Sequence, residues 1–169
     1  YLIGPDKRSR AYAYIKKHID DGRQGYIICP AVEENEKIDL AAATEYYENL
    51  KTGEFKDYRL GLLHGKMKPK EKDAVMSEFA AGNIDLLIST TVVEVGVDVP
   101  NAVIMLIENA ERFGLSQLHQ LRGRIGRGEY SSACILISGV KSGDTKRRLD
   151  VIKNNTDGFK IADEDLKLR

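Results

Sequence analysis

Gln120-Leu121-Arg122-Gly123-Arg124-Ile125-Gly126-Arg127 sets two arginines, Arg124 and Arg127, three positions apart with a glycine beside each. A guanidinium is planar, permanently cationic and able to offer paired N–H groups. It therefore suits the charge that builds on a phosphoryl group during transfer. From Arg112 to Gly128 there is no Asp or Glu, while Arg112, Arg122, Arg124 and Arg127 are all basic. In a chain of 26 basic and 26 acidic residues, that local excess marks a site rather than a bias of composition. The bland alternative is a solvated basic helix end, favoured by the helix dipole. The glycines weigh against it, because each costs roughly 1 kcal/mol relative to alanine inside a helix. Gly123 and Gly126 suit a backbone drawn tightly around a ligand or a neighbouring domain.

Two further stretches follow apolar runs. Ser89-Thr90-Thr91-Val92-Val93-Glu94-Val95-Gly96-Val97-Asp98-Val99-Pro100 opens with hydroxyls and backbone N–H groups of the kind that hold phosphate oxygens. A short helix starting near Thr91 would add a favourable dipole. Gly96 permits close backbone approach, and Asp98 could accept a hydrogen bond from a ribose hydroxyl. Ordinary capping by Ser89 and Thr90, with a turn at Gly96 and Asp98, explains the same residues. His64-Gly65-Lys66 could lay a basic turn against a nucleic-acid backbone, although a lone histidine is more often structural. No Gly-x-x-x-x-Gly-Lys-Ser/Thr loop occurs anywhere, so the chain brings no phosphate cradle of its own. With histidine only at His18, His64 and His119 and the cysteines far apart, no metal-ligand spacing is present. Asp163-Glu164 looks like half of an acidic box, but it sits in a polar tail and reads as a solvated helix or turn.

The elements that must carry these loops alternate. Helical patterns cover Lys7 to Asp20, with Tyr12, Ile15 and Ile19 on one side, Glu36 to Lys51, a stretch opened by Pro69 and ended by Gly82, and Leu115 to about Arg124. Val75, Met76 and Phe79 make the core stripe of the third. A charged helix is expected from about Asp144 to Asn154. Strands are expected at Tyr26 to Cys29, Tyr58 to Leu63, Ile84 to Ser89, Val103 to Ile107 and Ala133 to Ile137. The polar stretch from Glu33 to Asp39 reads as a mobile loop or an early helix start. Short apolar strands alternating with helices imply a three-layer α/β domain, its sheet mainly parallel and covered by helices on both faces. Ligands of such sheets gather at the carboxyl ends of the strands, which is where the informative loops fall.

A length of 169 residues with 42% hydrophobic and 31% charged content fits one globular domain with a real core. The formal net charge is zero, so nucleic-acid contact would need a local basic surface. Cys29 and Cys134 lie in apolar runs and read as small hydrophobes rather than a disulfide. No run approaches the ~20 apolar residues of a membrane span. With no signal peptide, the expected setting is cytoplasmic. Asn154-Asn155-Thr156 matches a glycosylation sequon that nothing else supports. The start at Tyr1, without an initiator Met, reads as a piece of something longer.

Gln120-x-x-Gly123-Arg124-x-Gly126-Arg127 is similar to motif VI of the superfamily 2 helicases, Ser89 to Pro100 resembles their motif V, and Leu63-His64-Gly65-Lys66-Met67 resembles a motif of the same half. Within the superfamily the resemblance narrows to the bacterial branched-DNA helicases. The stretches carrying it are Cys29-Pro30-Ala31-Val32-Glu33-Glu34, Leu62 to Met76, Thr90 to Ala102 and Asn109 to Gly128. The tail Asn155-Thr156-Asp157-Gly158-Phe159-Lys160-Ile161-Ala162 resembles them too.

The resemblance implies a second RecA-like motor domain over residues 1–145 and the start of a translocation-coupling segment over 146–169. It implies that Arg124 and Arg127 are catalytic, reaching the ATP γ-phosphate. Gly96, Asp98, Gln120 and Gly123 join them in contacting or positioning around the nucleotide, and His64, Gly65, Ser89, Thr90 and Thr91 line the DNA-backbone path. ATP and Mg2+ would be held mainly by a first motor domain, with no metal ligand expected here. That domain, a wedge domain of the same protein and branched DNA (forks and Holliday junctions) are the implied partners, with no membrane. The implied setting is the bacterial nucleoid, and the implied work is fork reversal and branch migration in recombination and repair. The isolated chain is expected to be inactive. Two readings stay open beside this one: the motor of the transcription-repair coupling factor, and a non-catalytic module that binds phosphate or nucleic acid.

Overall fold

A computed structural model describes residues 2–30, 36–64, 67–90, 99–123, 125 and 132–139. Six strands, β1 (Leu2–Ile3), β2 (Gln24–Ile28), β3 (Leu60–Leu63), β4 (Leu86–Ser89), β5 (Ala102–Ile107) and β6 (Ala133–Ile137), form one sheet in the order β1-β6-β5-β2-β4-β3. Every pairing between them is parallel. Four helices, α1 (Arg8–Asp20), α2 (Glu36–Thr52), α3 (Pro69–Ala80) and α4 (Leu115–Arg122), alternate with the strands.

The layering follows from handedness. The steps β1-α1-β2 and β2-α2-β3 move along the sheet towards β3, whereas β3-α3-β4 and β5-α4-β6 move the other way. Crossovers of one hand must then place α1 and α2 on one face and α3 and α4 on the other. The two cores agree. Tyr12, Ile15 and Ile19 of α1 and Leu50 of α2 pack with Ile27, Ile88, Ile104 and Leu106. Met76 and Phe79 of α3 and Leu118 and Leu121 of α4 pack with Tyr26, Ile28, Met105 and Ile107. Along β5 alternate residues thus serve opposite faces, and all six are buried.

Most elements fall where the apolar pattern puts them, and the shifts have local causes. β2 begins at Gln24, two residues earlier than expected, because its polar first residue is buried and bonded. Gln24 Nε2 donates to the carbonyls of Phe79 (2.6 Å) and Ile84 (2.8 Å), and Asn101 Nδ2 donates to Gln24 Oε1 at 3.2 Å. Gly25, expected to lead into the strand, lies inside it, where a Cβ would stand 2.6 Å from Ile104 Cγ2 and 3.0 Å from its carbonyl oxygen. β3 starts at Leu60 and β4 at Leu86, later than expected, because the residues before them make side-chain bonds. Tyr58 donates to Asp20 Oδ1 (3.0 Å), and Arg59 Nη2 donates to Asp85 Oδ1 (2.8 Å). Gly82, at φ 85°, follows α3 in the left-handed conformation that favours glycine. The two-residue strand β1, on the edge beside β6, carries too short a pattern to be read in advance. The charged helix expected from Asp144 and the domain boundary at 145/146 lie outside the described residues. None of the described helices is long and apolar enough to cross a membrane.

Gln24 joins the end of α3 to the start of β4. Gln24→Leu would keep the volume but take the side-chain donor from the Ile84 carbonyl and from Phe79 O, which keeps Gly82 N, at a cost of about 1–3 kcal/mol. Urea unfolding should show the midpoint lowered accordingly. An unchanged midpoint would mean that these bonds do not hold the two elements.

Candidate functional site

Because every strand runs the same way, every carboxyl end lies on one edge. Leu63 and Ile28 both stand in register with Ser89, and Ile28 with Ile107. The next residues extend the ladder: Cys29 N donates to Ser89 O (2.8 Å), Thr90 N to Leu63 O (3.1 Å) and Glu108 N to Ile28 O (2.9 Å). His64, Ser89 and Thr90, chosen from sequence for a nucleic-acid path, are thereby brought together on that edge. Ser89 is fully buried and Thr90 nearly so, while His64 is half-buried. Burial lowers the His64 pKa from its ordinary value near 6.5, with Glu71 opposing and Lys72 adding to the shift. The imidazole is therefore neutral at physiological pH.

Neighbouring strands β2 and β5 send their outgoing chains to opposite faces, β2 to α2 and β5 to α4. Such a switch point opens a crevice at the carboxyl edge. A cavity of about 170 Å³ occupies it, lined by Cys29, Pro30, Tyr46, Thr90, Glu108 and Asn109 among others. Its floor is polar. Arg8 donates from Nε (3.2 Å) and Nη2 (3.0 Å) to the same Oε1 of Glu108, whose side chain is only 8% exposed. Burial alone would lower the Arg8 pKa, but the hydrogen bond and charge of Glu108 outweigh it and raise it. The hydroxyls of Tyr12 and Tyr46 are hydrogen-bonded at 2.8 Å, and either can be the donor. Burial, with the charge of Glu108 adding to it, pushes both tyrosines up and the Cys29 thiol up to about 12. Burial likewise pushes Cys134 up to about 11, and both cysteines are half-buried and outside any disulfide. At neutral pH these are uncharged groups around one ion pair.

From Glu108 the chain turns sharply. Asn109 adopts φ 48° and ψ 52°, the left-handed region that asparagine tolerates better than most residues. A 3-10 turn, Ala110–Arg112, follows, with Ala110 and Phe113 buried. Gly114 N donates to Gln117 Oε1 at 2.9 Å and opens α4. α4 ends at Arg122, earlier than the expected Arg124, and Gly123 closes it by donating to His119 O at 3.0 Å. Leu118, Leu121 and Ile125 are buried and anchor the segment, while Gln120 and Gly123 are exposed. Gly123 has an ordinary φ of −68°. Among the described residues, a Cβ there would meet nothing closer than Gln120 O at 3.4 Å.

Gly65, Thr91, Gly96, Asp98, Arg124 and Arg127 lie outside the described residues. Sequence reading missed Arg8, Tyr12, Tyr46, Glu108 and Asn109 as site residues. One signal was available: Glu108 is a single acid closing the apolar run Ala102-Val103-Ile104-Met105-Leu106-Ile107. Among the described residues no group of three or more His, Cys, Asp or Glu side chains could hold a metal ion.

Residues 6–129 match the family described as the helicase conserved C-terminal domain. The chain is 51% identical over 168 residues to the ATP-dependent DNA helicase RecG of Synechocystis, covering 99% of this chain and 20% of that protein. It is 49% identical over 169 residues to RecG of Bacillus subtilis, covering 100% of this chain and 25% of that one. The chain thus spans about a fifth to a quarter of the length of the curated relatives it matches. A solved structure of RecG bound to a three-way DNA junction superposes with a TM-score of 0.86 at 46% identity, covering 99% of this chain and 22% of that one. These matches favour RecG over the transcription-repair coupling factor. With its parallel sheet, its switch-point crevice and its arginine segment leading from α4, the chain belongs to the helicase conserved C-terminal domain family.

Proposed function

We propose that this chain is the second motor domain of a RecG-type ATP-dependent DNA helicase. The observation that carries the reading is the match to RecG along 99% of the chain, in sequence and in fold, by a sequence with no phosphate-binding loop of its own. ATP would bind against a first motor domain. Closure would bring Arg124 and Arg127 onto the transferring phosphoryl group, with Gln120 and Gly123 setting the segment and Gly96 and Asp98 contacting the nucleotide. Preorganised positive charge lowers the barrier only in that closed state. Mg2+ would be held mainly by the first motor domain, through one or two carboxylates and the nucleotide phosphates, and would supply phosphate neutralisation from there. His64, Gly65, Thr90 and Thr91, with Ser89 beneath them, would follow a DNA backbone through its phosphates rather than its bases. Alternating closure and opening would move the domain along branched DNA, at forks and Holliday junctions. The work would be fork reversal and branch migration at the bacterial nucleoid. Residues 146–169 would begin the segment that couples hydrolysis to movement.

The isolated chain should show no magnesium-dependent ATP hydrolysis above background in a phosphate-release assay. Turnover by the pure chain would end the two-domain reading. In the complete protein, Arg127→Ala should leave ATP binding nearly intact and lower kcat on the order of 10³-fold. Near-normal hydrolysis would remove Arg127 from that role. Gly123→Ala isolates what glycine does there. Its Tm should match the wild type, since the domain accommodates a Cβ, while turnover falls because the partner domain meets the added methyl. Unaltered turnover would show that nothing closes on Gly123.

A further inference from the structure

The Arg8–Glu108 pair lies outside the arginine segment but stands at the root of it. Both N–H groups converge on one oxygen of the Glu108 carboxylate, at 3.2 and 3.0 Å, in a part-buried pair whose Glu108 side chain is 8% and Arg8 side chain 36% exposed. Arg8 opens α1, which belongs to the layer on the far face of the sheet from α4. Glu108 is also bound through its backbone to Ile28 of β2. After Glu108 the path to Gly123 is held at short intervals: a left-handed Asn109, buried Ala110 and Phe113, the Gly114–Gln117 bond, then buried Leu118 and Leu121. The corner at Glu108 and the end of α4 are thus joined by a run of anchored residues.

Buried ion pairs are weak sources of stability, and apolar pairs of similar volume often replace them without loss. What a charged, two-pronged contact supplies beyond packing is direction. We propose that Arg8 and Glu108 are a positioning pair, holding the β5–α4 corner against α1 so that the segment carrying Arg124 and Arg127 is aimed at the nucleotide. The proposal rests on the motor reading above and adds two residues to it that touch neither nucleotide nor DNA.

The test uses the complete protein, with ATP turnover measured on branched DNA beside thermal unfolding. Arg8→Met and Glu108→Leu each leave one group of the pair alone and should lower both Tm and kcat. The double variant Arg8→Met/Glu108→Leu should regain most of the Tm. Its kcat should stay at least about tenfold below wild type, with KM for ATP within about twofold, as expected when reacting groups are displaced by an ångström or so. Recovery of kcat together with Tm would reduce the pair to a packing feature and overturn the proposal. Arg8→Lys serves if the double variant does not fold: it keeps the charge but lacks two converging planar N–H groups. It should fold normally and turn over at a rate between Arg8→Met and wild type, and a wild-type rate would overturn the proposal. Arg127→Ala run in parallel separates the two readings. If Arg127→Ala turns over normally, the motor reading falls and takes the positioning pair with it. If Arg127→Ala fails while the folded Arg8 variants keep their kcat, only the positioning pair falls.

Discussion

Parallel pairing of all six strands is the constraint from which the rest of this structure follows. A parallel strand cannot be joined to its neighbour by a tight turn, so the chain must leave the sheet, cross it as a helix and return. The return fixes which end of each strand is free to vary. At the amino edge, side chains such as Gln24, Asn101 and Asp85 tie elements to one another and leave little room for a ligand. At the carboxyl edge the chain must reverse, and backbone groups point outward from Ile28, Leu63, Ser89 and Ile107 at matching heights. Loops of quite different sequence are thus delivered to one surface without any contact among them being needed in advance.

The same pairing explains the crevice at the carboxyl edge outside β2 and β5. There adjacent strands feed opposite helix layers, and the space between the diverging chains must be filled. Glu108 and Tyr46 line the cavity left there, bonded to Arg8 and Tyr12. A carboxylate in such a place is costly unless it is paired, and removing its partner leaves an uncompensated charge. The pair therefore joins α1, at the start of the chain, to the corner that launches α4, about a hundred residues on. Two layers that share no direct side-chain core are coupled at this point through one oxygen atom.

The layer architecture was legible in the sequence because it rests on short-range patterns: apolar runs of strand length, helical stripes such as Val75-Met76-Phe79, and punctuation by Pro69 and Gly82. Ala133 to Ile137 was read to the residue. The error at the start of β2 came where a polar residue stays in the sheet, and those at β3 and β4 where the residues before them make side-chain bonds instead. Gln24 looks like loop, yet it is buried because two carbonyls and an amide from distant positions complete its bonding. β1 was invisible, since two residues carry no period. The arginine segment and the loops at His64 and Ser89 stood out by composition alone. Arg8, Tyr46 and Glu108 did not, because their significance lies in a contact between residues far apart in the chain. Glu108 at the close of six apolar residues was a fair warning, but nothing in the sequence says which cation meets it.

Gly123 separates what this domain needs from what its activity needs. Glycine is commonly demanded by a positive φ, as at Gly82, or by a neighbour pressed against Cα, as at Gly25 beside Ile104. Among the described residues neither holds at Gly123, where φ is −68° and the nearest described atoms stand at ordinary contact distance. A glycine there costs backbone entropy, and no described neighbour requires it. The balance is explained if another surface approaches Cα at that point, in an assembly of which this chain is one part. An exposed glycine at the end of a short, firmly anchored helix is the geometry expected of a segment that must be stiff on its own side and bare on the other. Stiffness comes from the buried Leu118, Leu121 and Ile125 and from the corner at Glu108. In the proposed assembly, an exposed glycine would let a neighbouring domain come close to the end of α4. On that reading the ordering cost of α4 is met during folding rather than at each closure, which is the condition under which fixed charge lowers a barrier.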